Sequence, residues 1–151
     1  MKRLGKYFVM LTIATLALFC SSCGPDEPDD PERLGPFVEY SSAKTFYDTY
    51  MAYNDGEKVL IDYRSADKFA AGHLPGAVNM PADVYNTSSD DAQWCKNLLA
   101  QYPTTTCLFF YGTASFEMNK TVAGRASRLG FGKDKSRIFS KGYDELKSIW
   151  K

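Results

Sequence analysis

The sequence predicts an α/β fold with a central, largely parallel sheet of about five short strands and helices on both faces. Two observations lead to this prediction. Short apolar runs of strand length, such as KVLIDY at 58–63, alternate along the chain with helical stretches. That alternation is typical of parallel strands joined by crossover helices. The 151 residues, of which 44% are apolar and 24% charged, also suit one globular domain with a proper core.

Each element has a local cause in the sequence. Residues 37–40 predict a short strand, and Ser41 or Ser42 can cap a helix that runs toward Tyr53. Asn54-Asp55-Gly56 ends that helix with turn chemistry. The remaining strands are predicted at 58–63, 77–80, 108–111 and 137–139, and the remaining helices at 65–71, about 90–101, 119–129 and from 143 to the end.

The parallel topology predicts where a ligand would bind. In such sheets ligands bind at the carboxyl ends of the strands. Four segments are therefore expected to converge on one edge: Tyr63-Arg64, the loop after Met80, Gly112 to Met118, and Ser140 to Gly142.

The first residues predict export. Three basic residues precede an apolar run at 7–19 that is too short to span a bilayer comfortably. LFCSSC at 18–23 then resembles a bacterial lipoprotein signal. The resemblance implies a signal peptide at 1–22, a lipid on Cys23, and a place in the cell envelope, periplasmic or on the outer-membrane surface. Cys20 departs from that pattern, since an aliphatic residue is usual there, and an ordinary cleaved signal or an uncleaved anchor is the alternative.

Residues 23–36 predict a tether, and 37–151 the folded domain. Four prolines and five acidic residues between 24 and 36 cannot bury a core, so this segment is expected to be extended and solvated. The acidic residues also resemble a surface-export signal of some Gram-negative lipoproteins, a plain acidic linker being the alternative. The domain itself carries 14 basic and 13 acidic residues. Such a balance predicts no nucleic-acid partner.

The most specific segment is VLIDYRSADKFAAGHLPGAVNMP, at 59–81. It joins a strand that ends in Asp62 and Arg64 to a GHLPGA turn at 72–77. This combination resembles the signature of the rhodanese-like domain family, and the resemblance extends over 37–150. It implies a sulfurtransferase fold. In active members a cysteine directly after the strand that corresponds to 108–111 becomes a persulfide and hands its sulfur to an acceptor.

Gly112 stands at that cysteine position in this chain. Glycine has no side chain, so we predict no catalytic residue there. Glu117 or Met118 falls where a cationic residue commonly helps the family. We predict instead a loop whose N–H groups still cradle an anion or another ligand. It comprises Gly112, Thr113, Ala114, Ser115, Phe116, Glu117 and Met118. Phe116 either contacts that ligand or folds back onto the core.

Three residues of the signature, Asp62, Arg64 and His73, are predicted to support the loop. Asp62 is expected to cap the following helix. His73 is expected to hydrogen-bond neighbouring loops and fix the turn. A general-base role is disfavoured because no nucleophile or orienting carboxylate stands beside it in sequence.

The domain contains two cysteines, Cys95 and Cys107. They are predicted either as two buried thiols or as a disulfide, which requires Cα atoms within roughly 7 Å of each other. Cys107 lies five residues before Gly112, roughly 16 Å along an extended strand, and so at the wrong edge of the sheet for catalysis.

We therefore expect a membrane-tethered, catalytically inactive rhodanese-like domain, a pseudoenzyme that acts as a binding or regulatory module. Its partner would be an envelope protein or a small anionic ligand. The alternative is an active sulfurtransferase that passes sulfur from thiosulfate or a related donor through another thiol. We predict no metal site and no cofactor.

Overall fold

The computed structural model describes residues 34–82 and 88–150, and it leaves out the side chains of 88–91. The predicted signal peptide, Cys23 and most of the tether lie outside the described residues. So do residues 83–87, which hold most of the loop after Met80.

Five strands alternate with five α-helices. The strands are β1 (Val38–Tyr40), β2 (Lys58–Asp62), β3 (Ala77–Asn79), β4 (Cys107–Tyr111) and β5 (Ser136–Phe139). The helices are α1 (Ala43–Met51), α2 (Ala66–Ala71), α3 (Ser88–Gln101), α4 (Phe116–Ala126) and α5 (Tyr143–Leu146). A π-helical turn, Ser127–Phe131, and a 3-10 turn, Lys133–Lys135, connect α4 to β5.

The strands form one sheet in the order β1-β5-β4-β2-β3, and each of its pairings is parallel. β4 lies at the centre, paired along its length with β2 and on its other side with β5. This arrangement confirms the predicted fold class. All strands point the same way, so their carboxyl ends share one edge of the sheet.

Hydrophobic cores lie on both faces of the sheet, because alternate residues of β4 point to opposite sides. Leu108 and Phe110 pack against residues of α3 and α4, such as Trp94 and Val122. Cys107, Phe109 and Tyr111 belong to the other core, which includes Phe46 of α1 and Leu146 of α5. The five residues of β4 are all buried. Helices therefore cover both faces, as predicted.

Two helices differ from the predicted bounds. α4 begins at Phe116, not at Asn119, because Ser115 caps it: the Ser115 Oγ accepts a hydrogen bond from the Met118 N–H at 3.4 Å. Residues 116–118 of the predicted loop are therefore the first turn of α4. α5 ends at Leu146, so Trp150 packs into the core from beyond the helix.

No helix within the described residues is long and apolar enough to cross a membrane. Across the same residues, neither Cys95 nor Cys107 is in a disulfide.

Candidate functional site

Loops from three of the predicted segments meet at the carboxyl edge of the sheet. The Tyr143 N–H donates to the Gly112 carbonyl oxygen at 2.9 Å, and Asn119 Nδ2 of α4 donates to the Ser140 carbonyl oxygen at 3.1 Å. Gly142 has a φ of 89°, and a Cβ there would lie 3.1 Å from the Ala114 nitrogen. A glycine therefore allows the 140–143 loop to approach the 112–115 loop closely.

The ring of Tyr63 fills the space beside Gly112. A Cβ on Gly112 would lie 2.4 Å from both Cε2 and Cζ of Tyr63, well inside van der Waals contact. The φ of Gly112 is not in the left-handed region, so the backbone there does not itself require glycine. Glycine is required because Tyr63 occupies the place where a side chain at 112 would begin.

The Tyr63 hydroxyl also forms hydrogen bonds with the loop and with α4. It accepts from the Thr113 N–H at 2.9 Å and donates to Asn119 Oδ1 at 2.5 Å. The Thr113 carbonyl oxygen lies 2.8 Å from the same hydroxyl. Tyr63 is 1% exposed, and this burial raises its pKa, although the hydrogen bonds with Thr113 act in the opposite direction. The expectation that the N–H groups stay free for an anion is thus wrong for Thr113, whose N–H binds a phenol oxygen.

A cleft of about 310 Å³ lies beside Gly112. Its lining residues are Arg64, Lys68, Gly112, Thr113, Ala114, Lys141, Gly142, Tyr143 and Asp144. Of the predicted loop, Gly112 to Ala114 line the cleft, Ser115 caps α4, and Phe116 and Glu117 are exposed. Met118 is half-buried and packs against the core of the α3–α4 face. Phe116 does not fold back onto the core, since 62% of its surface is exposed.

Arg64 forms one wall of the cleft and is held by Asp62. Its Nε lies 3.0 and 3.1 Å from the two carboxylate oxygens of Asp62, and its Nη2 lies 2.6 Å from Oδ2. Nη2 also donates to the Gly72 carbonyl oxygen at 2.7 Å. Burial acts against the guanidinium charge, but the bonds to Asp62 outweigh it and raise the pKa of Arg64. Its Cζ lies 3.9 Å from the centre of the Tyr143 ring, so a cation–π contact links the segment after β2 to α5.

Asp62 therefore has a different role from the predicted one. Besides the guanidinium, its Oδ1 accepts the Arg64 backbone N–H at 2.9 Å. The N-cap residue of α2 is Ser65, and no side-chain hydrogen bond caps that helix. The expectation that Asp62 caps α2 is thus wrong, because the Asp62 carboxylate binds the backbone N–H and the guanidinium of Arg64 instead.

His73 makes local contacts. Its Nδ1 lies 3.0 Å from the Phe69 carbonyl oxygen, and its ring stacks on the Phe69 ring with centroids 3.9 Å apart. The predicted bonds to neighbouring loops are replaced by this bond to the preceding helix, α2. The contact holds the turn that follows α2.

Cys107 lies at the other edge of the sheet, at the beginning of β4. It is 1% exposed, and its Sγ lies 3.9 Å from the Asp134 carbonyl oxygen. A separate cavity of about 480 Å³ at this edge has Cys107 and Tyr53 in its lining. The other four residues of β4 separate that thiol from the Gly112 loop.

Sequence reasoning placed Tyr63 at this edge without assigning it a role, and it missed Asn119 and Tyr143; all three link the loops of the site. One signal for Tyr63 was present: it follows Asp62 directly at the end of β2, beside the end of β4 that leads to Gly112. A large side chain at the end of one strand can fill the space that a glycine leaves at the end of the neighbouring strand. No motif, however, indicated that its hydroxyl would reach Thr113.

The comparisons with known proteins agree with this architecture. A family model described as a rhodanese-like domain matches residues 46–149. The solution structure of the rhodanese-like domain of the Anabaena sp. Alr3790 protein aligns with a TM-score of 0.51 at 16% identity, over 77% of this chain and 76% of that one. The single-domain sulfurtransferase RDL2 of Saccharomyces cerevisiae aligns with a TM-score of 0.48 at 17% identity, over 75% and 90% of the two chains. The human single-domain sulfurtransferase TSTD1 gives 0.45 and 21% over 76% and 96%. No curated protein matches the sequence. Because the family match covers more than half of its length, the chain belongs to the rhodanese-like domain family.

Proposed function

We propose that this chain is a catalytically inactive rhodanese-like domain that serves as a binding or regulatory module in the bacterial cell envelope. The observation that carries the proposal is the pair Gly112 and Tyr63. Sulfur transfer needs a thiolate nucleophile in a cradle of N–H groups. Position 112 has no side chain, and the ring of Tyr63 occupies the space that one would need.

Catalysis has a second requirement, hydrogen-bond donors that stabilise the anionic sulfur. An anionic sulfur would need donors, but the Thr113 N–H already binds the Tyr63 hydroxyl. Arg64, a buried cation that lines the same cleft as Gly112, is tied to Asp62 and Gly72. The carboxyl edge of the sheet instead has a cleft of about 310 Å³ and an exposed aromatic side chain, and both features suit the binding of a partner.

The experiment is an assay of sulfur uptake. The purified full chain is incubated with thiosulfate, and bound sulfur is measured by cyanolysis and by intact mass. The proposal predicts no uptake above that of buffer. The alternative, sulfur transfer through another thiol, predicts uptake that Cys107→Ser or Cys95→Ser abolishes. Such a result would overturn the assignment as inactive.

Membrane attachment through Cys23 is a separate part of the proposal and is supported by the sequence alone. Incorporation of a labelled fatty acid in a bacterial host tests it. Label is expected on the full chain and on Cys20→Ser, and its loss on Cys23→Ser. Unlabelled full chain would contradict the lipid anchor, and would leave the account of Gly112 and Tyr63 untouched.

A further inference from the structure

Phe116 is an exposed aromatic side chain that the fold does not use. Its ring belongs to neither core, and at 62% it has the largest exposed fraction among the large hydrophobic residues of the described chain. The cap of α4 comes from Ser115, so the helix does not need a phenylalanine at its first position. Exposed aromatic residues of this kind are typical anchors of protein interfaces.

The cleft beside Phe116 has an excess of positive charge. Three cationic residues line it, against one acidic residue, Asp144. Asp144 is paired with Lys147 at 2.5 Å, and Asp62 compensates Arg64. Lys141 lies 3.5 Å from Glu145, with both side chains about half exposed, so this pair is weak. Lys68 therefore has no acidic partner among the described residues, and Lys141 is held only weakly by Glu145.

Phe116 lies close to the cleft along the chain. Ala114 lines the cleft and lies two residues before Phe116. Their Cα atoms are thus at most roughly 7 Å apart. A single extended segment can contact both, since it rises about 3.3 Å for each residue.

We infer that this docking surface, made of Phe116, Lys68, Lys141 and the cleft between them, binds an extended acidic segment of a partner protein. Carboxylates of the segment face the two lysines, and an apolar side chain packs on Phe116. The charge of the cleft selects this occupant, because a lining with three cationic residues and one acidic residue attracts acidic partners and repels basic ones. The inference rests on the proposed function, a binding module, and names its class of partner.

A phage-displayed library of linear peptides, selected on the purified full chain, supplies the probe. The recovered peptides are synthesised with blocked ends, and their affinity is measured by fluorescence anisotropy. We expect them to combine aspartate or glutamate with an apolar residue and to bind more weakly as salt rises. Phe116→Ser and the pair Lys68→Glu with Lys141→Glu are each expected to weaken binding at least tenfold, about 1.4 kcal/mol.

Two variants provide matched controls. Met51→Ser removes another exposed apolar side chain, on α1, and Lys133→Glu reverses another exposed lysine, in the 3-10 turn. Both are expected to leave the affinity unchanged. Peptides without acidic enrichment, or equal losses in the controls, would overturn the inference.

A second arm distinguishes a membrane from a protein partner. The same variants are mixed with vesicles that contain anionic phospholipid. Binding to vesicles that depends on Phe116 and the two lysines, with no peptide recovered, would make the surface a membrane contact and refute the protein partner. The sulfur-uptake assay does not involve these residues, so failure of the docking inference is separate from failure of the proposed function.

Discussion

Substitution of Gly112 by cysteine tests directly whether Tyr63 blocks the nucleophile position. A Cβ at 112 would lie 2.4 Å from two Tyr63 ring atoms, about 1.1 Å closer than the shortest comfortable carbon–carbon contact of about 3.5 Å. The ring must therefore move by roughly 1 Å. That movement breaks the hydrogen bonds of its hydroxyl to Thr113 and Asn119.

The magnitude follows from two contributions. Overpacking of a dense site costs roughly 1–3 kcal/mol. A buried polar group left without a partner costs about 1–3 kcal/mol more. We expect Gly112→Cys to lower the free energy of unfolding by roughly 2–6 kcal/mol, a large share of the roughly 5–15 kcal/mol of a typical domain.

A double-mutant cycle isolates the collision. Tyr63→Ala alone leaves a cavity and is expected to cost about 3–5 kcal/mol. In that background the cysteine meets no ring, so adding Gly112→Cys is expected to cost less than about 0.5 kcal/mol. The coupling between the two sites is then roughly 2–6 kcal/mol, which is large for a pair of residues in contact.

The assay is urea denaturation followed by circular dichroism, combined with the pH dependence of thiol alkylation. Ala114→Cys is the matched control, because this exposed neighbour already has a Cβ. Only in the double variant should the thiol at 112 show a lowered pKa, since only there is the Thr113 N–H released toward it. A Gly112→Cys protein as stable as the unchanged chain, with Tyr63 still in place, would refute the reasoning.

Three further substitutions test the surrounding network. Tyr63→Phe is expected to cost about 1–3 kcal/mol at neutral pH. The raised pKa of Tyr63 means that its contribution is complete below the unfolded pKa of about 10 and is lost as pH rises toward the folded pKa. Denaturation between pH 8 and 11 should therefore show the gap between the two proteins narrowing, and a constant gap would contradict this. Arg64→Lys keeps the charge but loses the forked bond to Asp62, and calorimetry should show a loss of about 1.5–3 kcal/mol, against less than about 0.5 for Lys44→Met in the exposed pair with Asp48. Cys107 should be alkylated only as fast as the domain unfolds, and after Cys95, which is less buried; rapid native labelling of Cys107 would contradict its place in the core.

The fold could be predicted from the sequence because it depends on patterns. Apolar runs at 58–63 and 108–111 form the two central strands, and their parallel direction follows from the helices between them. The predicted bounds of a helix were wrong where a single side chain determines where the helix begins. Ser115 caps α4 three residues earlier than its apolar pattern indicates, because a hydroxyl can satisfy the first N–H groups of a helix.

The site was only partly predictable. The parallel topology brings Gly112, Arg64 and Lys141 to one edge, as the rule for such sheets requires. That position 112 carries no nucleophilic side chain can be read from Gly112 alone. The direction of a side chain cannot, and whether Tyr63 points into or away from the loop depends on its packing in three dimensions. The same holds for Asp62. Its carboxylate could either cap α2 or bind Arg64, and in the structure it binds Arg64.

The most direct test of the central claim is a thiosulfate titration of the nitrogen-labelled full chain, followed at the Thr113 amide by NMR. The account places the Tyr63 hydroxyl on that N–H, at 2.9 Å, where an active member of the family would bind an anionic sulfur. It predicts that the Thr113 resonance does not shift as thiosulfate is added. In Tyr63→Ala, where the N–H is free, the resonance should shift and saturate. A saturable shift in the unchanged chain would show that the cradle is open, and would contradict the claim that Tyr63 occupies it.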